Sequence, residues 1–300
     1  MLESQSIAIN KANSRVEEIL GRRLREVAVR ESIKHELKAE VSSVCTPEIG
    51  SARKEIPFLP LLASAMPTQW TRTGLFSNIK KGERRILVNE TLEGRSDCRV
   101  RISGEELDMY DNDVFLHVVQ LAQGMAAGEP IYFERLAFLK AIGRNDSSRD
   151  YNHLQESVER LASTTIFIDG LRGGESFRLI DKLKWGDGLY WIMMDPLVVS
   201  IFESGYLAFI DMEVRLKLKS PLAKYLQNYV VGHAVGDHRI GLESLRLWSG
   251  SRGRIRDFKS RALPPALKEL EIVGVIQNWE IDETIVRWTR LAHSKSKRRV

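Results

Sequence analysis

Arg252-Gly253-Arg254-Ile255-Arg256-Asp257-Phe258-Lys259-Ser260-Arg261 crowds five cations into ten residues, with one acid between them. Phe258 and the following Leu263, Leu267 and Leu270 recur at helical spacing, so the stretch predicts a helix with one apolar and one basic side. A similar segment comes earlier in the chain. Ser148-Arg149-Asp150-Tyr151-Asn152-His153 opens a helix in which Leu154, Val158 and Leu161 point inward. Arg149, Asn152, His153, Glu156 and Arg160 are then expected on its outer side, where Asp150, Glu156 and Glu159 dilute the charge.

Outward from these two helices the same layout runs twice between Asp113 and Leu291. In the first pass, Asp111 or Asn112 caps a helix over 114–125. A brief strand follows at 131–133, then a short helix over 135–142 stopped by Gly143. Ser147 or Ser148 caps the third helix. Strands at 164–169, 176–183 and 190–194 alternate around turns at Gly173-Gly174 and Gly186-Asp187-Gly188. In the second pass a short helix at 197–202 and a strand at 206–215 lead to Ser220-Pro221, which start a helix with Leu222, Tyr225, Leu226 and Tyr229 inward. A short helix at 242–248, the basic helix and strands at 275–280 and 285–289 complete it. Pro264-Pro265 should kink that helix, because interior proline removes a hydrogen bond and clashes.

Three helices followed by a hairpin predict an α+β chain of two tandem winged-helix domains, each a helix-turn-helix plus a β-hairpin wing, with an N-terminal helical arm. The expected domains are 70–194 and 195–293, between an N-terminal helix with a proline-containing linker (1–69) and a basic tail (294–300). The stripe Val16, Ile19, Leu20, Leu24, Val27, Ile33, Leu37 and Val41 fits self-association or docking on another protein, and equally a frayed arm or a helix packed on the chain's own domain.

Bulk composition narrows the function. No apolar run reaches the roughly 20 residues of a membrane span, and no signal peptide leads the chain, so a cytoplasmic protein is expected. Cys45 and Cys98 match no metal spacing and are expected to be unpaired thiols. From Arg239 onward there are 14 Lys and Arg against 7 Asp and Glu, whereas the whole chain carries +5, so the rest is slightly acidic. A basic C-terminal third suits a polyanion partner. There is no phosphate-binding Gly-Lys-Ser/Thr loop, no calcium loop in the acidic group Glu105, Glu106, Asp108, Asp111 and Asp113, and no nucleophile elbow. His233 and His238 lie in a glycine-rich stretch and read as a surface turn. No catalytic residue, metal or cofactor is expected.

Arginine forks match the O6 and N7 of guanine, and asparagine matches the N6 and N7 of adenine, in a groove that admits a helix. The candidate DNA contacts are Ser148, Arg149, Asn152, His153 and Arg160 on the first unit. On the second they are Arg252, Arg254, Arg256, Lys259, Ser260 and Arg261, with Lys297 and Arg298 of the tail seeking phosphates.

The runs Ile102-Ser103-Gly104-Glu105-Glu106-Leu107, Asp111-Asn112-Asp113-Val114-Phe115-Leu116 and Phe138-Leu139-Lys140-Ala141-Ile142-Gly143 carry a likeness. Tyr151, Leu154, Ser157, Arg160, Leu161 and Pro265-Ala266-Leu267-Lys268-Glu269-Leu270 extend it. Together they resemble the TrfA family of plasmid replication initiators. The resemblance implies two winged-helix domains that bind double-stranded origin repeats (iterons) and help open an adjacent A·T-rich segment. It also implies recruitment of the host initiator protein and replicative helicase, and a homodimer in equilibrium with an active monomer. Some members carry a glutamine-led clamp-binding pentapeptide ending in Leu-Phe. Here Gln5-Ser6-Ile7-Ala8-Ile9 lacks that ending, and Leu75-Phe76 lacks the glutamine. A transcriptional regulator built from the same modules is the alternative, and an origin-nicking nuclease is the rival from another class.

Overall fold

The computed structural model describes residues 54–292, apart from 61, 80, 81, 95–98, 171, 172 and 205. The expected N-terminal helix, both cysteines, and Lys297 and Arg298 lie outside the described residues. The segment expected as a linker contains β1, Ala63–Pro67, with all five residues buried. After it come β2 (Phe76–Ser77), β3 (Ile86–Thr91), β4 (Arg99–Glu105), β5 (Leu107–Asp108) and α1 (Met109–Leu121).

Helix α1 starts earlier than its first apolar repeat suggests. Asp108 is the cap: its carboxylate accepts from the Tyr110 and Asp111 N–H groups at 2.8 and 3.0 Å, and Asp111 accepts from Asp108 N at 2.9 Å. This reciprocal box satisfies orphan donors of the first turn. Asp111, Asn112 and Asp113 therefore lie inside the helix, and all three are buried. Asp111 and Asn112 are thus not the cap, because arginines supply the counter-charge that lets this acidic run face the core.

The chain continues with β6 (Ile131–Glu134), α2 (Arg135–Ala141), α3 (Ser148–Ser163), β7 (Thr165–Gly170), β8 (Gly173–Phe177), β9 (Ile180–Gly186) and β10 (Leu189–Met194). Then follow α4 (Pro196–Ser204), β11 (Leu207–Asp211), α5 (Met212–Lys217), α6 (Pro221–Val231), β12 (Gly236–Gly241) and α7 (Leu242–Trp248). The expected strand over 206–215 ends at Asp211, whose carboxylate accepts from Val214 N–H at 2.9 Å and starts α5. A helical turn at Ile255–Asp257 and a π turn at Phe258–Ala262 lead into α8 (Leu263–Ile272), then β13 (Ile276–Ile281) and β14 (Ile285–Arg290). The π turn stands just before Pro264-Pro265. Widening the helix there accommodates rings that would clash with the carbonyls four residues back.

One layout is present twice. The series α1, β6, α2, α3, β9, β10 corresponds to α6, β12, α7, the 255–272 helical segment, β13, β14. Both sheets are antiparallel with the first strand beside the last: β6-β10-β9 and β12-β14-β13. The expectation of one hairpin after α3 needs correcting. β7 and β8 are an addition to the first copy that joins β4 and β3 in a separate sheet, β3-β4-β7-β8. The hairpin equivalent to β13–β14 is β9–β10, closed by Asp187 and Gly188 at φ 49° and 78°. Two successive positive φ values give a turn whose twist matches the strands.

The expected boundary at 194/195 is crossed by backbone pairing and by a buried polar network. β1 pairs with β11 from Ala63↔Asp211 to Pro67↔Leu207. Arg215 of α5 is 0% exposed. Its Nε donates to Asp113 Oδ1 at 2.7 Å, Nη2 to Asn112 Oδ1 at 2.7 Å, and Nη1 to the Lys224 carbonyl at 2.6 Å and Asn228 Oδ1 at 3.0 Å. Lys224 Nζ takes the other oxygen of Asp113. Around it α1 and α6 meet in one apolar core that includes Phe115, Val119, Leu222, Tyr225 and Leu226.

At the end of α6, His233 Nδ1–H donates to Tyr229 O at 2.7 Å, and burial pushes its pKa down from 6.5 to about 4. Between those values the unfolded chain holds the proton and the folded chain does not. Stability should therefore fall as pH drops from about 6.5 to about 4. Thermal melts across that range should show a shallower loss for His233→Gln than for the parent, and identical slopes would remove His233 from the acid response.

Candidate nucleic-acid interface

In the first copy, Ser147 caps α3 by accepting from Asp150 N–H at 3.1 Å. Leu154, Val158 and Leu161 are buried as expected, each contributing about 1.5–3 kcal/mol of burial. Ser148, Arg149 and Asn152 are exposed, and Arg149 has no ion pair among the described residues. Two expected contacts are corrected. Arg160 is buried, with Nη2 on Asp111 Oδ1 at 2.9 Å beside Ser157 Oγ on the same oxygen at 2.7 Å. His153 is half-buried, stacked on Tyr110 with ring centroids 3.7 Å apart, and burial lowers its pKa. At about 100° per residue both positions flank the apolar stripe, and the carboxylate and phenol of α1 draw them in.

In the second copy the basic stretch is divided between two tasks. Arg252 is ion-paired with Glu106 and donates to the Glu83 carbonyl, so it anchors the stretch to the first copy. Burial works to raise the Glu106 carboxyl, but Arg252 and Arg85 outweigh it and hold the group below its ordinary range. Arg252 is exposed as expected, and its guanidinium is also engaged as a brace by Glu106. Arg246 supports the same turn, donating to the carbonyls of Ser251 and Gly253 at 3.2 and 3.1 Å. Beyond the turn, Phe258 and Leu263 are buried, which aims the intervening side chains outward. Arg254 and Arg256 are exposed and have no ion pair among the described residues. Arg261 is also exposed, with a loose 3.8 Å approach to Asp257. Lys259 is half-buried and reaches the Glu283 carbonyl at 3.4 Å, and the exposed Ser260 donates to Arg256 O at 2.8 Å.

Further cations flank these helices. Arg135, exposed at the start of α2, lies 4.0 Å over the Tyr151 ring. Lys182 and Lys184 are exposed on β9, and Arg239 stands opposite Arg287 on β12 and β14. Arg287 is loosely paired with Glu280 and Asp282 at 3.8 and 3.6 Å, which offsets the repulsion between like charges directly opposite. The alternation Lys182-Leu183-Lys184-Trp185 was the available signal for the β9 contribution.

The matched model of the family described as replication initiator protein A spans residues 68–263, from just after β1 to the start of α8. The chain belongs to that family. It is 26% identical over 238 residues to the plasmid replication initiator protein TrfA of Escherichia coli, covering 75% of this chain. The chain spans 61% of the length of that relative. Domains 2 and 3 of RctB have a similar fold, with a TM-score of 0.53 at 15% identity over 75% of this chain and 98% of that one. A second RctB domain 2–3 structure gives 0.51 at 11% identity, over 73% and 95%. Among the described residues, no helix is long and apolar enough to cross a membrane.

Proposed function

We propose that this chain is a cytoplasmic plasmid replication initiator that binds repeated double-stranded sites at an origin. Each copy of the layout acts as a winged helix-turn-helix unit. α3 and the 255–272 segment enter successive major grooves, and β9–β10 and β13–β14 serve as wings. The observation that carries this reading is the outward pair Arg254 and Arg256, held on a braced turn and not neutralised by carboxylates among the described residues. Arg149 and Asn152 hold the equivalent place in the first copy. Phosphate contacts position the protein and base contacts specify the site. No catalytic centre is needed, and the host initiator, the helicase and a second copy of this chain are the partners the reading implies.

Duplexes selected by the protein from a randomised pool should contain a common sequence. Binding to them should weaken by about 10³- to 10⁵-fold between 50 and 200 mM salt if six to ten phosphates are neutralised. No enrichment, or a salt-independent signal, would refute duplex binding. Replication of a plasmid carrying the cognate origin separates an initiator from a repressor, and nicking of supercoiled DNA with Mg²⁺ would show an enzyme.

A further inference from the structure

Of the six tryptophans, five are buried or half-buried, while Trp185 is 57% exposed. It stands at the end of β9, directly before the Asp187–Gly188 turn. The register pairs it with Tyr190, and residues directly opposite in an antiparallel pair share a face. Tyr190 is buried, stacks on Phe133 at 5.0 Å, and donates to Gln155 of α3 at 2.5 Å. The indole therefore leaves the hairpin on the α3 side, beyond the edge of the core, while Lys182 and Lys184 project from the other face. The turn points toward the N-terminal half of α3. A Cβ at Gly188 would lie 3.4 Å from Arg135 Nε, and the Arg135 guanidinium covers Tyr151 of α3. Arg149 and Asn152 occupy that same half. A large, mostly exposed apolar ring is thus placed toward the end of α3 that carries Arg149 and Asn152.

We propose that Trp185 is a wedge that enters the minor groove next to the site read by α3 and unstacks one base step. Apolar side chains inserted this way kink a duplex toward its major groove, and an aromatic ring gives comparable contact energy on any base. Lys182 and Lys184, on the opposite face of the hairpin from the indole, reach one phosphate backbone beside the opened step. This rests on the duplex-binding reading above.

The test uses the full chain and a duplex it selects from a randomised pool, with 2-aminopurine placed in turn at each position beside the α3 site. For the parent protein, fluorescence should rise at one step and end-to-end energy transfer should report a bend. Trp185→Ala should lose the fluorescence rise and the bend and bind about tenfold more weakly, with an unchanged melting temperature. Trp185→Phe should keep part of each signal, and Lys182→Ala/Lys184→Ala should weaken binding while keeping the bend. A Trp185→Ala protein that bends the duplex as the parent does overturns the wedge alone. Weaker binding with an unchanged 2-aminopurine signal also overturns it, since the ring would then lie on the backbone. A parent protein that selects no duplex overturns both the wedge and the function it rests on.

Discussion

Replacing Arg215 with alanine should destabilise the protein by about 3–5 kcal/mol, because it breaks a buried ion pair and leaves its partners in place. Asn112, Asn228 and the Lys224 carbonyl would each lose a bond of 2.6–3.0 Å, and Asn112 and Asn228 are buried. Each buried polar group left unmet costs about 1–3 kcal/mol. Lys224 would still neutralise Asp113, which is why the loss stays within that range. Arg215→Lys should recover only part of it, since an ammonium cannot reach four acceptors at once. A midpoint of urea denaturation for Arg215→Ala within experimental error of the parent would show that the network does not hold the two copies together.

That network also shows where sequence reading stopped. The α3 core face, the Asp187-Gly188 turn and, in the first copy, the order helix, strand, helix, helix, hairpin were legible because each follows from local periodicity or turn chemistry. In the second copy β12 was not, since Gly236, Gly241 and its polar residues read as a surface turn, whereas His238 lies in the strand opposite Trp288. The partners of Asp111 and Asp113 were not. Arg160 is 49 residues from Asp111, and Arg215 is 102 from Asp113. No local pattern marks a charge as destined for the core. The same blindness misplaced the cap of α1, since an acidic run before an apolar stripe reads as a helix start. β7 and β8 were misjudged for a related reason: alternation reveals a strand but not which sheet it joins, and β4, the partner of β7, lies far back in the chain. In the candidate site, exposure was legible for Arg149, Asn152, Arg254, Arg256 and Arg261. It was not legible for Arg160, which is buried on Asp111, and the pairing of the exposed Arg252 with Glu106 was equally hidden, because both carboxylates come from distant elements.

The difference between braced and outward-facing cations yields the second large effect. Arg254→Ala and Arg256→Ala should each weaken binding to the selected duplex by about 1–3 kcal/mol if the side chain reads a base. Arg254 is the extended residue before the helical turn and Arg256 lies within it, so the two side chains leave the backbone in different directions and the double variant should lose close to the sum. Neither change removes an ion pair among the described residues, so the melting temperature should stay within about one degree of the parent. Arg160→Ala should behave in the opposite way: it strips Asp111 of a buried counter-charge and should lower the melting temperature by several degrees. Competition gel shifts against a scrambled duplex distinguish the roles further. Loss at a base contact narrows the gap between specific and scrambled DNA, whereas loss of a phosphate contact weakens both alike. A double Arg254→Ala/Arg256→Ala protein with parental affinity and specificity would take the second copy out of sequence reading and leave α3 to supply it alone.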